Sequence, residues 1–361
     1  MTAEAFDSAQ PFALPPLPPE LDTRTPDILE RVAAARSELG ELKGLCRALP
    51  NALILLSPAV IRESVASSRI ENVNTTVQNA LQMQLFPEAE QHGPDKEVLH
   101  YRDALLAGFE SMAEIPLSAR TIHLVHETLL PEDAKGFRRQ QNSIAEGPEG
   151  RVRYTPPPAP DIDSLISNLL HYLHSGDEGT DPLVKCAIQH YQFEAIHPFP
   201  DGNGRTGRIL MVLQLLHAGL LELPVLYISG YINRHRSRYY DLLLAVSRDG
   251  AWHEWIIFML DALSAQAAET KRTALSILEL FEAMRDRIRT EHPKIYSAEL
   301  VEQLFSHPVV TPVNLARQMD VHYTTATRHL KALTEAGLLT DAQVGKYHFY
   351  ANQELIRLVQ E

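Results

Sequence analysis

A chain of 361 residues, 45% of them hydrophobic, is long enough for two or three domains with sizeable cores. A net charge of −13 excludes a general affinity for nucleic acid or anionic membrane, and no apolar run reaches the length of a membrane span. Two cysteines, Cys46 and Cys186, form neither a disulfide framework nor a metal-ligand pattern and read as small buried hydrophobes.

The chain opens on Met1-Thr2-Ala3-Glu4, without the basic region and apolar core of a signal peptide, so the expected location is cytoplasmic. Residues 1–26 carry Pro11, Pro15, Pro16, Pro18, Pro19 and Pro26 and predict an extended segment draped on the surface. From Pro26 the spacing turns helical, with Ile28, Leu29 and Val32, then Leu39, Leu42 and Leu45. Further helices are expected over Pro58 to Asn72, Thr75 to Leu85, Asp95 to Met112 and Ser118 to Leu129. The stretch 136–158 breaks this rhythm. Ile144-Ala145-Glu146, a turn over Gly147 to Gly150, and alternating Arg151-Val152-Arg153-Tyr154 predict a hairpin bounded by Pro156 to Pro158. Ile162 to Leu173 and Leu183 to Phe193 read as core helices, and Arg205 to Ala218 as the helix that follows. Trp252 and Trp255 read as core packing. His190 and His217 lack ligand spacing and read as structural or solvated. A charged helix over Ala265 to Arg289 is the expected connector to a C-terminal module.

The segment His197-Pro-Phe-Pro-Asp201-Gly202-Asn203-Gly204-Arg205-Thr206-Gly207-Arg208 combines a histidine, a carboxylate, a Gly-Asn-Gly turn and two arginines one helical turn apart. Each part serves phosphate chemistry. Gly202 and Gly204 lack a Cβ, so the backbone can turn tightly and approach a ligand. Successive N–H groups in such a turn form an anion nest, and the next helix aims its positive end the same way. Arg205 and Arg208 can then both face phosphates. Asp201 is a hard oxygen ligand suited to a Mg²⁺ that bridges phosphates. His197 can take a proton from an attacking hydroxyl. A helix-capping loop beside a buried histidine would account for single residues here, not for the whole string.

At these residues the chain resembles the Fic family, whose signature H-x-F-x-[D/E]-G-N-G-R-x-x-R is filled at every position. The resemblance implies an enzyme that moves AMP from ATP onto a hydroxyl side chain (Tyr, Thr or Ser) of a target protein, and onto itself. It makes His197 the catalytic base, Asp201 the Mg²⁺ ligand and Phe199 the inward anchor of the loop. The implied ATP-binding set is Glu71, His197, Gly202, Asn203, Gly204, Arg205, Thr206, Gly207, Arg208, Asn233 and Tyr240. A related family that transfers a single phosphate has lysine at the second glycine of the turn; Gly204 here favours AMP transfer. The hairpin 136–158 resembles the Fic flap, which pairs with the target segment as an added strand. Ser67-Ser-Arg-Ile-Glu71-Asn72 resembles the family's inhibitory [S/T]-x-x-x-E-[G/N] motif, which implies that Glu71 pairs with Arg208. A carboxylate there removes a γ-phosphate donor set and repels the triphosphate. In some relatives the same glutamate serves AMP removal.

Near the C-terminus, Val313 to Met319 and Tyr323 to Ala336 read as two short helices around a turn. Gly337 to Thr340 and Lys346 to Tyr350 then alternate like a wing. This resembles a winged helix-turn-helix domain, with Thr324, Thr325, Arg328 and Lys331 on the exposed face of the recognition helix. Residues 309–361 carry five basic and five acidic side chains, unlike the basic surface of DNA readers. Protein contact or a homodimer is therefore favoured over DNA binding through 309–350. The expected fold is mainly α: a Fic-type helical core with a β-hairpin flap, plus a small C-terminal winged helix-turn-helix domain. Its parts are a Pro-rich segment (1–26), a helical region with the inhibitory helix (27–112), the catalytic core (113–263), connecting helices (264–298) and the winged helix (299–361). An ATP-sensing DNA-binding regulator, or an enzyme that mainly removes AMP, are the alternative readings.

Overall fold

The first helix begins where the prolines end. α1 (Pro26–Arg47) has Pro26 in its first turn, where no backbone N–H is needed. Thereafter, in the computed structural model that describes residues 6–49, 51–87, 90–113, 116–133, 136–146, 150–175, 179–344 and 347–360, the chain is mainly helical. The order is α2 (Leu53–Ile70), α3 (Val77–Met83), α4 (Gly93–Ser111), α5 (Ala119–Leu129), β1 (Ile144–Glu146), β2 (Arg151–Tyr154), α6 (Ile162–His174), α7 (Pro182–Ile196), α8 (Asn203–His217), α9 (Ser229–Arg234) and α10 (Arg236–Asp249). Then come α11 (Trp252–Glu291), α12 (Ala298–Ser306), β3 (Val309–Val310), α13 (Pro312–Gln318), α14 (Tyr323–Glu335), β4 (Thr340–Val344), β5 (Tyr347–Ala351) and α15 (Gln353–Gln360). Contacts group these into two units. One comprises Met1–Gly40, Asp103–Pro224 and Ile228–Ala267; the other comprises Glu41–Arg102, Val225–Tyr227 and Ala268–Glu361.

The first unit is built around α7 and α8. Asp181 caps α7 by accepting the Leu183 N–H at 2.8 Å, with Pro182 in the first turn. Nearly every residue of both helices is buried, so each is enclosed by neighbours on all sides. α5 packs on α8, with Ile122, Val125 and Leu129 buried, and a capping box at Ser118 and Thr121 fixes its start. Trp255 is fully buried, and its indole N–H donates to the Ala187 carbonyl at 2.8 Å. Trp252 is half-buried, edge-on to Tyr191. Cys186 is wholly buried, which pushes its thiol pKa up to about 12, and Cys46 is buried in α1. Both cysteines act as small apolar side chains, as expected.

The flap forms as predicted, as the antiparallel pair β1 and β2 with an irregular register between Ile144 and Ala145. The turn residues 147–149 lie outside the described residues. Residues 6–25 form neither helix nor strand, yet they are tied down. Leu14 and Leu17 are buried, Asn168 bonds both the N–H and the carbonyl of Leu17, and the Phe12 N–H donates to Thr155 O at 2.9 Å.

In the second unit α2 is the enclosed element: every residue from Val60 to Ser68 is buried. It begins at Leu53, earlier than the expected Pro58. Pro58 is accommodated in the second turn and removes one helical hydrogen bond there. Buried Arg62 is held by Glu269 at 2.8 Å and stacks 3.9 Å over the Tyr227 ring, while buried Glu63 accepts from the Tyr101 hydroxyl at 3.1 Å. α12 and α15 both pack on α2. The C-terminal part has α13 and α14 around a turn, then a three-stranded sheet in the order β3-β5-β4. Ala326, Leu330 and Leu333 of α14 are fully buried. β4 starts at Thr340, not Gly337, because Gly337 takes a positive φ (70°) and ends α14 instead. The connecting helix is the distal part of α11, which runs unbroken for 40 residues from Trp252.

Candidate active site

The loop between α7 and α8 turns on a strained histidine. His197 closes α7 with φ 49° and ψ 58°, a left-handed conformation that costs a non-glycine residue about 1–2 kcal/mol. Its neighbours hold it there. The His197 N–H donates to Phe193 O at 3.0 Å, and the Arg138 Nε donates to the His197 carbonyl at 2.9 Å. Phe199 is fully buried, as expected for the anchor. It stacks on His126 at 3.6 Å between ring centroids and lies 5.3 Å from Phe137. The Asn203 carboxamide closes the loop on itself by accepting from the Phe199 N–H at 2.9 Å and donating to the Phe199 carbonyl at 2.8 Å.

Asp201 sits at the outer edge of this loop, its side chain 75% exposed. One carboxylate oxygen accepts the Gly202 N–H at 2.6 Å, and the other lies 3.8 Å from the Arg205 guanidinium. The Asp201 carbonyl meets His126 Nε2 at 3.1 Å. Burial lowers the pKa of His126, so it is a neutral imidazole at pH 7 that donates here. Gly202 has φ 74°, and a Cβ there would meet Leu130 Cδ1 at 2.7 Å, so the turn requires glycine on two counts. From Asn203 the chain is helical, which leaves the amides of the Gly202–Gly204 turn at the positive end of α8.

Arg205 and Arg208 emerge from the first turns of α8 and are 4% and 1% exposed. Both lie in the first two turns of α8, and a helix N-terminus with guanidiniums close behind it favours an anion. Thr206 is wholly buried. Gly207 faces α7: a Cβ there would lie 2.3 Å from Glu194 Oε1 and 3.2 Å from Phe193 Cδ1. A Cβ at 207 would therefore push the Glu194 carboxylate aside and crowd the Phe193 ring. His190, also structural as read, is fully buried, meets the Tyr239 hydroxyl at 2.8 Å, and is held neutral with a pKa of about 3 by burial and then by Arg208.

The structure thus gathers His197, Asp201, Gly202, Asn203, Gly204, Arg205, Thr206, Gly207 and Arg208 in one loop and helix start. Asn233 is half-buried on α9. Of the adjacent tyrosines, Tyr239 turns inward to His190 and Tyr240 is the exposed one, at 41%. Glu71 closes the C-terminus of α2 in the other unit, followed by Asn72 at φ 64°. A lone exposed carboxylate next to an anion nest fits a Mg²⁺ that arrives with phosphates, since Mg²⁺ keeps few protein ligands. No cluster of three or more His, Cys, Asp or Glu that could hold a metal ion occurs among the described residues. No helix among them is long and apolar enough to cross a membrane.

Sequence reading missed His126 and Arg138. His126 shares the α5 stripe with Ile122 and Leu129, and a polar residue in an apolar stripe was the available signal. Arg138 had none to separate it from Arg139.

Comparisons with known proteins agree with this geometry. The profile of the Fic/DOC family matches residues 116–215, that of the Fic/DOC family N-terminal region matches 29–110, and that of the protein adenylyltransferase SoFic-like C-terminal domain matches 280–355. Together they take in most of the chain in order, and the chain belongs to the Fic/DOC family. A probable protein adenylyltransferase of Aquifex aeolicus is 33% identical over 114 residues, 32% of this chain and 34% of that protein. The protein adenylyltransferase Fic of Aedes aegypti is 32% identical over 151 residues, 40% of this chain and 27% of that protein. The matches to these curated relatives span about a third of their length or less. A crystal structure of a Fic family protein from Desulfovibrio desulfuricans covers 93% of this chain and 98% of its own, with TM-score 0.60 and 23% identity. A Fic-domain signaling protein of Bacteroides thetaiotaomicron covers 68% of this chain and 97% of its own, with TM-score 0.54 and 19% identity. These two similarities establish the fold.

Proposed function

We propose that the chain is a protein adenylyltransferase that moves AMP from ATP to a Tyr, Thr or Ser hydroxyl of a target protein. The observation that carries this reading is the left-handed His197 set between a flap and a helix start bearing Arg205 and Arg208. The His197 imidazole takes the proton of the target hydroxyl. The freed oxygen bonds to the α-phosphorus, the bond from that phosphorus to the bridging oxygen breaks, and pyrophosphate leaves with that electron pair. The backbone N–H groups of Asn203 and Gly204 and the two guanidiniums oppose the charge on the β- and γ-phosphates. Asp201 would hold a Mg²⁺, which when bound neutralises phosphate charge. The side-chain carboxamide of Asn203 acts through the loop, since both its oxygen and its nitrogen are committed to Phe199.

Glu71 is the brake in this reading, by pairing with Arg208 and displacing the triphosphate from in-line geometry. The target docks on the flap as an added strand.

Intact-protein mass after incubation with ATP and Mg²⁺ tests this with wild type, Glu71→Gly and Glu71→Gly/His197→Ala. Addition of one AMP in Glu71→Gly alone supports transfer, its base and its brake together. AMP on the double variant removes His197 as the base, and equal addition in wild type and Glu71→Gly removes the brake.

A further inference from the structure

Three prolines, Pro156 to Pro158, carry the flap back toward the core, and prolines have no N–H with which to build a sheet ladder. Their carbonyls still need donors. Side chains supply them: Gln141 Nε2 reaches Pro156 O at 2.8 Å, and an Arg138 terminal nitrogen reaches Pro157 O at 2.6 Å. The same guanidinium donates through Nε to the His197 carbonyl at 2.9 Å and through its other terminal nitrogen to Gln140 O at 3.1 Å. Its backbone N–H donates to Pro198 O at 2.8 Å. Arg138 is 5% exposed, and burial lowers its pKa, yet an arginine begins so high that it stays charged at pH 7. A buried guanidinium that spends all three nitrogens on backbone carbonyls is costly to keep unless those carbonyls must be held.

We propose that Arg138 is the positioning residue that ties the flap to the proposed base, setting the His197 peptide and the exit of the hairpin in one fixed relation. This deepens the transferase reading and rests on it for its catalytic meaning. The strained 197–198 peptide can relax toward right-handed geometry when its carbonyl loses the donor, and the imidazole turns with it. The flap exit loses its link at the same stroke, so the strand that aligns a target hydroxyl no longer registers against the base. ATP binding, assigned in that reading to Asn203, Gly204, Arg205 and Arg208, is not part of this tie.

The test compares Arg138→Ala and Arg138→Lys in the Glu71→Gly background, by three measurements on the full chain. Amide hydrogen exchange reads the tie without activity. In Arg138→Ala, exchange is expected to rise at least tenfold together in β1–β2 and in 197–204, with α6 and the rest of α8 still protected. The rate of self-modification at saturating ATP is expected to fall at least thirtyfold while ATP affinity stays within threefold. Arg138→Lys, which can reach one carbonyl but not two, is expected to keep 197–204 protected and leave the flap loosened, or the reverse. Exchange rising in neither segment overturns the proposal. So does a uniform rise through α5 to α8 with parallel loss of ATP binding, which marks a merely structural arginine. Should the Glu71→Gly parent modify nothing, the transferase reading fails, while the exchange data still decide whether Arg138 links the two segments.

Discussion

The carboxamide of Asn203 grips both backbone groups of Phe199, accepting from its N–H and donating to its C=O across the loop. This contact holds the loop in shape before any ligand arrives. Asn203→Ala leaves two buried backbone groups unpaired, at a cost of about 1–3 kcal/mol for each. Thermal unfolding should therefore show a loss of several degrees. Asn203→Asp keeps the acceptor, loses the donor and adds a negative charge to an anion site. It should weaken ATP binding more than Asn203→Ala does, as read by titration calorimetry.

Gly207 faces Glu194 so closely that a Cβ lands 2.3 Å from its carboxylate. Gly207→Ala should destabilise by about 1–3 kcal/mol, the usual range for overpacking. Trimming the neighbour should relieve it: the double variant Gly207→Ala/Glu194→Ala is expected to cost less than the two single changes added together, measured by denaturant unfolding.

Asp201 is exposed and spends one oxygen on Gly202. Asp201→Asn can retain that acceptor while removing the charge, so the loop should keep its stability. ATP affinity measured with and without Mg²⁺ should then converge, whereas in the Glu71→Gly parent Mg²⁺ should strengthen binding. Persistent enhancement by Mg²⁺ in Asp201→Asn would place the ion elsewhere.

Buried His190 has a folded pKa of about 3 against an ordinary 6.5. Below pH 6.5 the unfolded chain binds a proton that the folded chain refuses, so stability falls as pH falls, by about 1.4 kcal/mol per pH unit and per such group. Above pH 6.5 this contribution is complete and flat. His126, His217, His307 and His329 are lowered in the same direction by burial and add to the slope. Unfolding free energy followed from pH 8 to pH 5 should drop in the acid half only. His190→Gln should make that drop shallower by one proton.

What the sequence by itself determined was local. The spacing of Ile122, Val125 and Leu129, or of Ala326, Leu330 and Leu333, sets a helical face, and each of these residues is buried. The string from His197 to Arg208 specifies a turn and a helix start through its glycines and charges, and the hairpin is marked by the prolines that end it. These features depend on residues a few positions apart. The tertiary structure decided everything that depends on distant residues meeting. That Asn203 serves Phe199, that Tyr239 turns inward and Tyr240 outward, and that α2 begins before Pro58 follow from packing that no short window contains. Arg138 is the sharpest case. Beside Arg139 in the sequence it has no distinguishing pattern, and only burial against the carbonyls of Pro157 and His197, brought together by the fold, gives its charge a task.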